Sequence, residues 1–216
     1  MQLVLNANDY SLTTNLIGQL VNWRIGKLVQ GGIEKMSNQN LSEFDILEAI
    51  KDVTNLMGVA ARTAPKSAGQ DFVVVKAIYG EDVIKLAKEM VSYGEAMGKK
   101  NFDRDGANVK NSLAVLLIGL KNAASLGLNC GACGYDQCAD RNSHKGSEFD
   151  GPQCAFRILD MGIAIGSAVK TAGIMNVDNR IMYRAGAVAK RIGLIDADFV
   201  MGIPLSVTGK SIYFDR

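Results

Sequence analysis

The chain has 216 residues, of which 48% are apolar, 24 are Lys or Arg and 22 are Asp or Glu. That length and apolar share allow one substantial core without cross-links and exclude an intrinsically disordered chain. A formal net charge of +2, with no run of five basic residues, leaves no electrostatic footprint for nucleic acid.

The first five residues carry no basic leader, and Asn6, Asn8 and Asp9 interrupt the opening apolar run, so a secretory signal is not expected. The longest apolar run, residues 113–120, is far shorter than the ~20 residues a membrane span needs. The next candidate, residues 155–169, contains Arg157 and Asp160. The expectation is a cytoplasmic protein with neither a membrane nor a nucleic acid as partner.

In chain order, Leu16, Ile17, Leu20, Val21, Ile25 and Leu28 recur at spacings that predict an amphipathic helix over 10–29, broken by Gly31 and Gly32. A second helix opens near Ser42 as N-cap, runs past Ala60 and ends before Pro65. Residues 71–79 (DFVVVKAIY) are rich in β-branched side chains and read as a buried strand. Helical spacing returns over 80–100 through Val83, Leu86, Ala87 and Met90. Residues 101–111 are polar and read as a loop, and residues 112–120 as a second buried strand.

Beyond a cysteine-rich stretch, residues 155–172 predict a helix in which Gly162 and Gly166, one turn apart, would let another helix approach closely. Residues 179–192 predict a further helix, with Asp178 as its cap and Arg180, Tyr183 and Arg184 on one polar face. Residues 198–207 and 211–215 read as terminal strands. Met161, Met175, Met182 and Met201 read as core filler. The organisation expected is an N-terminal helical extension over 1–40 and a single α+β domain over 41–216, with the cysteine segment at 128–155.

All four cysteines fall within 25 residues, as Cys130-x2-Cys133-x4-Cys138-x15-Cys154. In a reducing compartment such crowding points to metal rather than disulfides. Four thiolates are the usual complement of a [4Fe-4S] cluster: three close together wrap three irons and a distant fourth closes the cage. Gly131 and Gly134 allow tight turns beside the ligands, and Pro152 stiffens the approach to Cys154. A structural zinc site is the alternative, although four-cysteine zinc sites usually come as two C-x2-C pairs and only one such pair is present. The lone histidine, His144, lies in a polar stretch and reads as a solvated surface residue.

The run LNCGACGYDQC with a later GPQC resembles the four-cysteine [4Fe-4S] domain of corrinoid iron–sulfur proteins and of the cluster-bearing subunit of Rnf electron-transport complexes. A broader similarity is to an uncharacterised prokaryotic family of ferredoxin-domain proteins. It is carried by AARTAPK (60–66), the cysteine segment, MGIAIGSAV (161–169), VDNRIMYRAG (177–186) and MGIPLSVTGKSIYFDR (201–216). A third resemblance, to flavin-dependent nitroreductases, rests on APKSAGQDFVVVKA (64–77), GIAIGSAVKTAG (162–173), RIGLIDADFV (191–200) and GIPLS (202–206) in that order.

The third resemblance implies a nitroreductase-like antiparallel sheet flanked by helices, with the iron–sulfur loop inserted, and FMN held at a homodimer interface. It places Ser67 and Gln70 at the flavin, Arg62 and Lys66 as substitutes for phosphate-binding arginines, and Lys210 as a late phosphate contact. The Asn of that family's turn is replaced by Ala68-Gly69, and no Arg-x-Ser-x-Arg precedes residue 62. The functional expectation is a redox protein passing single electrons through one [4Fe-4S] cluster to an unidentified redox partner. A cluster-fed FMN oxidoreductase and a zinc-binding interaction module are the rivals. A homodimer is expected, partly because strand 211–215 has too little chain after it to be covered by its own protomer.

Overall fold

A computed structural model describes residues 42–214, and the boundary between two units of the chain falls after Ser42. The helix expected over 10–29 lies outside the described residues. From Glu43 onward the elements are helix α1 (Glu43–Thr63), strand β1 (Val73–Tyr79), helices α2 (Glu81–Ala96) and α3 (Phe102–Lys110), and strand β2 (Ala114–Leu120). Helix α4 (Ala155–Ile174), strand β3 (Asp178–Asn179), helix α5 (Tyr183–Arg191) and strand β4 (Phe199–Ser206) complete the order.

The strands form one sheet in the order β1-β2-β4-β3, antiparallel throughout. β2 occupies an interior position and every one of its residues is buried, which explains its unbroken apolar run. Its side chains alternate between two cores. Ala114, Leu116, Ile118 and Leu120 face α1 and α4, among Met57, Ala61, Met161 and Ala164. Val115 and Leu117 face α2, α3 and α5, among Leu86, Met90, Phe102 and Val188. The result is an α+β domain of three layers, helices on both faces of the sheet.

β1 differs from expectation: it is an edge strand, paired only with β2, and most of its residues are half-buried. The stretch 101–111 is largely a helix, not a loop. α3 carries only two apolar side chains of any size, Phe102 and Val109, but both are fully buried. Phe102 packs edge-on against Tyr93, ring centres 5.2 Å apart. The Asp105 carboxylate, also buried, accepts hydrogen bonds from Arg104 Nε at 2.9 Å and Arg184 Nη1 at 2.8 Å. Tertiary anchoring overrides the polar composition here.

The helix expected over 179–192 is shortened to α5 because residues 178–179 pair with β4 first. Met182 then exchanges backbone hydrogen bonds with Gly202. Pro204 lies two residues beyond Gly202, so its nitrogen faces the same flank of β4 but has no hydrogen to donate. The ladder therefore lapses at Arg180 and Ile181.

Residues 211–214 are not a strand. They are tied back by side chains: Asp178 Oδ2 accepts from the Ile212 N–H at 3.2 Å, and Arg180 Nη1 donates to the Tyr213 carbonyl at 2.9 Å. Asp178 thus holds the tail instead of capping a helix, and Arg180 stands outside α5. The Tyr213 ring is buried by its own chain, whereas Phe214 is exposed, so the tail is covered only in part. Of the four methionines, Met161 and Met182 are core residues and Met175 is exposed.

Close helix approach is achieved elsewhere than expected. A Cβ added at Gly162 or Gly166 meets nothing within 4 Å among the described residues. At Gly186 it would lie 2.0 Å from the Val200 carbonyl oxygen, so α5 rests on β4 through a missing side chain. Gly186→Ala is expected to destabilise the fold by roughly 1–3 kcal/mol, through overpacking. Gly162→Ala should instead raise stability, by about 0.5–1 kcal/mol. Urea unfolding of both variants checks the contrast.

Burial raises the Tyr213 pKa to about 12, although its hydroxyl lies 2.8 Å from Ser112 Oγ and that bond acts in the other direction. Below pH 10 the phenol is neutral in both states; above it the unfolded chain alone loses the proton. Stability should therefore fall as pH rises from about 10 to about 12, by up to about 1.4 kcal/mol per pH unit, and level off beyond. In Tyr213→Phe this part of the loss should be absent from urea midpoints measured across that window.

Candidate functional site

The connection from β2 to α4 is the long excursion that holds the four cysteines. Its local shape comes from residues that accept a left-handed backbone: Asn122, Gly127, Asn129, Gly131 and Gly134 all have φ between +49° and +89°. The Gly134 N–H donates to the Gly131 carbonyl at 2.9 Å, a turn that encloses Cys133. Asn129 makes a reciprocal pair with Cys138: its Oδ1 accepts the Cys138 N–H at 2.8 Å, and its own N–H donates to Cys138 Sγ at 3.3 Å.

The excursion is fastened to the body at several points. Arg141 donates from Nε to Ser125 Oγ at 2.8 Å, from Nη1 to the Pro152 carbonyl at 2.7 Å and from Nη2 to the Ala123 carbonyl at 3.1 Å. His144 and Gly151 exchange backbone hydrogen bonds, Glu148 pairs with Lys99, and Asp150 pairs with Lys190. The Phe149 ring packs 4.3 Å from that of Phe199. A polar cleft of about 420 Å³ runs beside this stretch, lined by Arg141, His144, Lys145, Asp150, Gln153 and Asp198 among others. His144 is exposed, as expected.

None of the four cysteines is in a disulfide; Cys130 is exposed, Cys133 and Cys138 are half-buried, and Cys154 is buried. Among the described residues no group of three or more His, Cys, Asp or Glu side chains closes on a single metal ion. Cys154 is the N-cap residue of α4, with extended backbone. Burial pushes its thiol pKa up, but the backbone N–H groups of Leu126, Arg157 and Phe156 and the Arg157 charge outweigh burial and leave it below the ordinary value. An anionic sulfur suits this place.

These features fit an iron–sulfur cluster better than a disulfide framework: unpaired thiols, a ligand loop of glycine and asparagine turns, and N–H groups directed at sulfur. Cys130, Cys133, Cys138 and Cys154 are the residues that would hold it.

The residues expected at a flavin are gathered about the turn after α1, except Lys210, which lies in the segment after β4. Arg62 Nη1 donates to Asp71 Oδ2 at 2.7 Å and to the Val73 carbonyl at 3.0 Å. Lys66 Nζ donates to the carbonyls of Ala61 and Arg62 at 2.8 and 2.7 Å, satisfying the C-terminal end of α1. Ser67 donates from both its N–H and its hydroxyl to Asp160 Oδ1, each at 2.7 Å. Gln70 accepts from Arg157 Nη2 through Oε1.

Arg157 and Asp160 were not among the site residues read from the sequence. Their guanidinium and carboxylate are buried as a pair 3.2 Å apart in the first two turns of α4. Arg157 also donates to the Ala124 carbonyl at 3.0 Å and the Ser67 carbonyl at 2.9 Å, and stacks 4.8 Å from the centre of the Phe72 ring. One signal was available: the two charges share a helix face with Met161, Ala164 and Ala168, the face that turns inward.

An antiparallel sheet between two helix layers, with a cysteine-bearing excursion between an interior strand and a helix N-terminus, defines the class of protein. The family model described as "uncharacterized protein containing a ferredoxin domain" (DUF2148) matches residues 150–216. An uncharacterised protein of Archaeoglobus fulgidus is 48% identical over 171 residues, covering 78% of this chain and 92% of the relative. The chain belongs to this family of uncharacterised ferredoxin-domain proteins.

Among solved structures it is similar to a nitroreductase-like family protein from Bacillus cereus, with a TM-score of 0.49, 11% identity, and coverage of 83% of this chain and 82% of that one. It is also similar to a nitroreductase with bound FMN from Desulfitobacterium hafniense, at 0.49, 12%, 81% and 82%. These likenesses concern the fold alone.

Arg141→Ala should loosen the excursion, because three accepting groups lose their donor at once. The expected loss is roughly 1–3 kcal/mol of stability for the accepting groups left unpaired. Proteolytic nicking within 123–153 should be faster than in the parent protein, as seen by mass spectrometry of the fragments.

Proposed function

We propose that this protein is a cytoplasmic iron–sulfur redox protein that transfers single electrons through one [4Fe-4S] cluster held by Cys130, Cys133, Cys138 and Cys154. The observation that carries the reading is the state of those residues: four unpaired thiols, three of them at least partly exposed on one excursion, and the fourth at a helix N-terminus. Membership of a ferredoxin-domain family supports it. Among the described residues no helix is long and apolar enough to cross a membrane. Four unpaired cysteines suit a reducing compartment.

When bound, the cluster supplies one-electron chemistry. The chain's own residues do the rest. Arg141 and the Asn129–Cys138 pair shape the ligand loop. The α4 N-terminus stabilises the sulfur of Cys154 as an anion. Four protein thiolates would leave no iron position open, which suits electron transfer rather than substrate binding. The partner is an unidentified redox protein or small acceptor.

The homodimer also remains a proposal; a monomeric mass in light scattering would remove it.

Anaerobic purification with iron, sulfide and flavin quantified tests the function. The expected result is about four iron and four sulfide per chain, with a broad absorbance shoulder near ~400 nm. Cys133→Ser should lose most of both colour and iron. Bands of a bound flavin in the same spectrum would favour the FMN oxidoreductase reading. About one zinc with no iron would replace the proposal by a structural zinc site.

A further inference from the structure

We infer that Arg157 is a positioning residue for the cluster, a fixed positive charge one helical turn from Cys154 that stabilises the added electron, with Asp160 as its partial counterweight. The inference rests on the proposed cluster and goes beyond it by assigning what sets the reduction potential.

Three residues separate Arg157 from the N-cap Cys154, so the two lie one above the other on α4. Arg157 is wholly buried and brings a positive charge into the core. Its carboxylate partner belongs to the next turn of α4, farther along the helix from Cys154. Only one Asp160 oxygen meets the guanidinium, at 3.2 Å, while the other is occupied by two hydrogen bonds from Ser67. The remaining acceptors are neutral: the carbonyls of Ala124 and Ser67 and the Gln70 amide.

Those same bonds determine where the charge sits. The Ala124 carbonyl belongs to the start of the cysteine excursion, and Ser67 and Gln70 belong to the turn after α1. The guanidinium is therefore clamped between three segments and cannot swing away. In a site from which water is excluded, a held charge acts strongly on its neighbours. One-electron reduction adds one negative charge to the irons and their sulfurs, and no proton need move. A fixed cation favours that reduced form and raises the potential. Asp160 works in the opposite sense.

The test is a potentiometric titration of the full-length protein, loaded anaerobically, with dithionite as the electron donor and the reduced cluster read by electron paramagnetic resonance. Arg157→Gln should shift the reduction equilibrium about tenfold or more toward the oxidised form, a fall of about 59 mV for a one-electron couple. Asp160→Asn should shift it in the opposite direction. Arg157→Lys, which keeps the charge, should restore most of the potential lost in Arg157→Gln.

Potentials that do not move in Arg157→Gln and Asp160→Asn would overturn the inference and leave the cluster standing. So would failure of both to load iron while circular dichroism shows native helix content, since the pair would then hold structure alone. Iron in the parent protein is measured first. Its absence there overturns the cluster reading itself, and the inference with it.

Discussion

The buried guanidinium of Arg157 is the contact on which the region around Cys154 depends. One side chain satisfies carbonyls from two separate segments, a side-chain amide and a carboxylate, with an aromatic ring against its face. Only arginine supplies that many donors in a rigid planar fork. Its neighbours answer in kind: Asp160 holds both polar hydrogens of Ser67, so the turn after α1 is pinned to the foot of α4. Removing either partner leaves a charge buried without compensation, which is far costlier than losing an exposed ion pair.

That clamp works because the sheet beneath it is rigid. β2 contributes to both cores and has a strand on either side. The excursion starts directly from its end and returns into α4, which packs on the same sheet. A loop of this length is costly to order by itself. Here both of its ends are held by interior elements, and Arg141 crosses it near the middle to tie Ala123 to Pro152.

The C-terminal tail follows the same logic of polar side chains doing what a ladder does not. Where Pro204 interrupts pairing, Arg180 is free to reach the Tyr213 carbonyl and Asp178 the Ile212 N–H. The motifs 177–186 and 201–214 are thereby tied to each other.

Much of the architecture was legible in the residues. The unbroken apolar run at 113–120, the helical periods over 43–63 and 155–174, and the crowding of four cysteines each express a local rule: burial on both faces, a 3.6-residue period, a ligand set. α3 was not legible, because two buried side chains and one buried carboxylate hold it, and the partner of that carboxylate on α5, Arg184, is distant in sequence. The tail was read as a strand because its composition suits one, whereas strand status depends on a neighbouring edge with hydrogens to offer. The family likewise followed from local motifs, which a relative 48% identical bears out. What only the tertiary structure decided is which charges are buried. Arg157 and Asp160 looked like interruptions in an apolar helix, and their roles depend on where a turn some ninety residues earlier in the chain comes to rest.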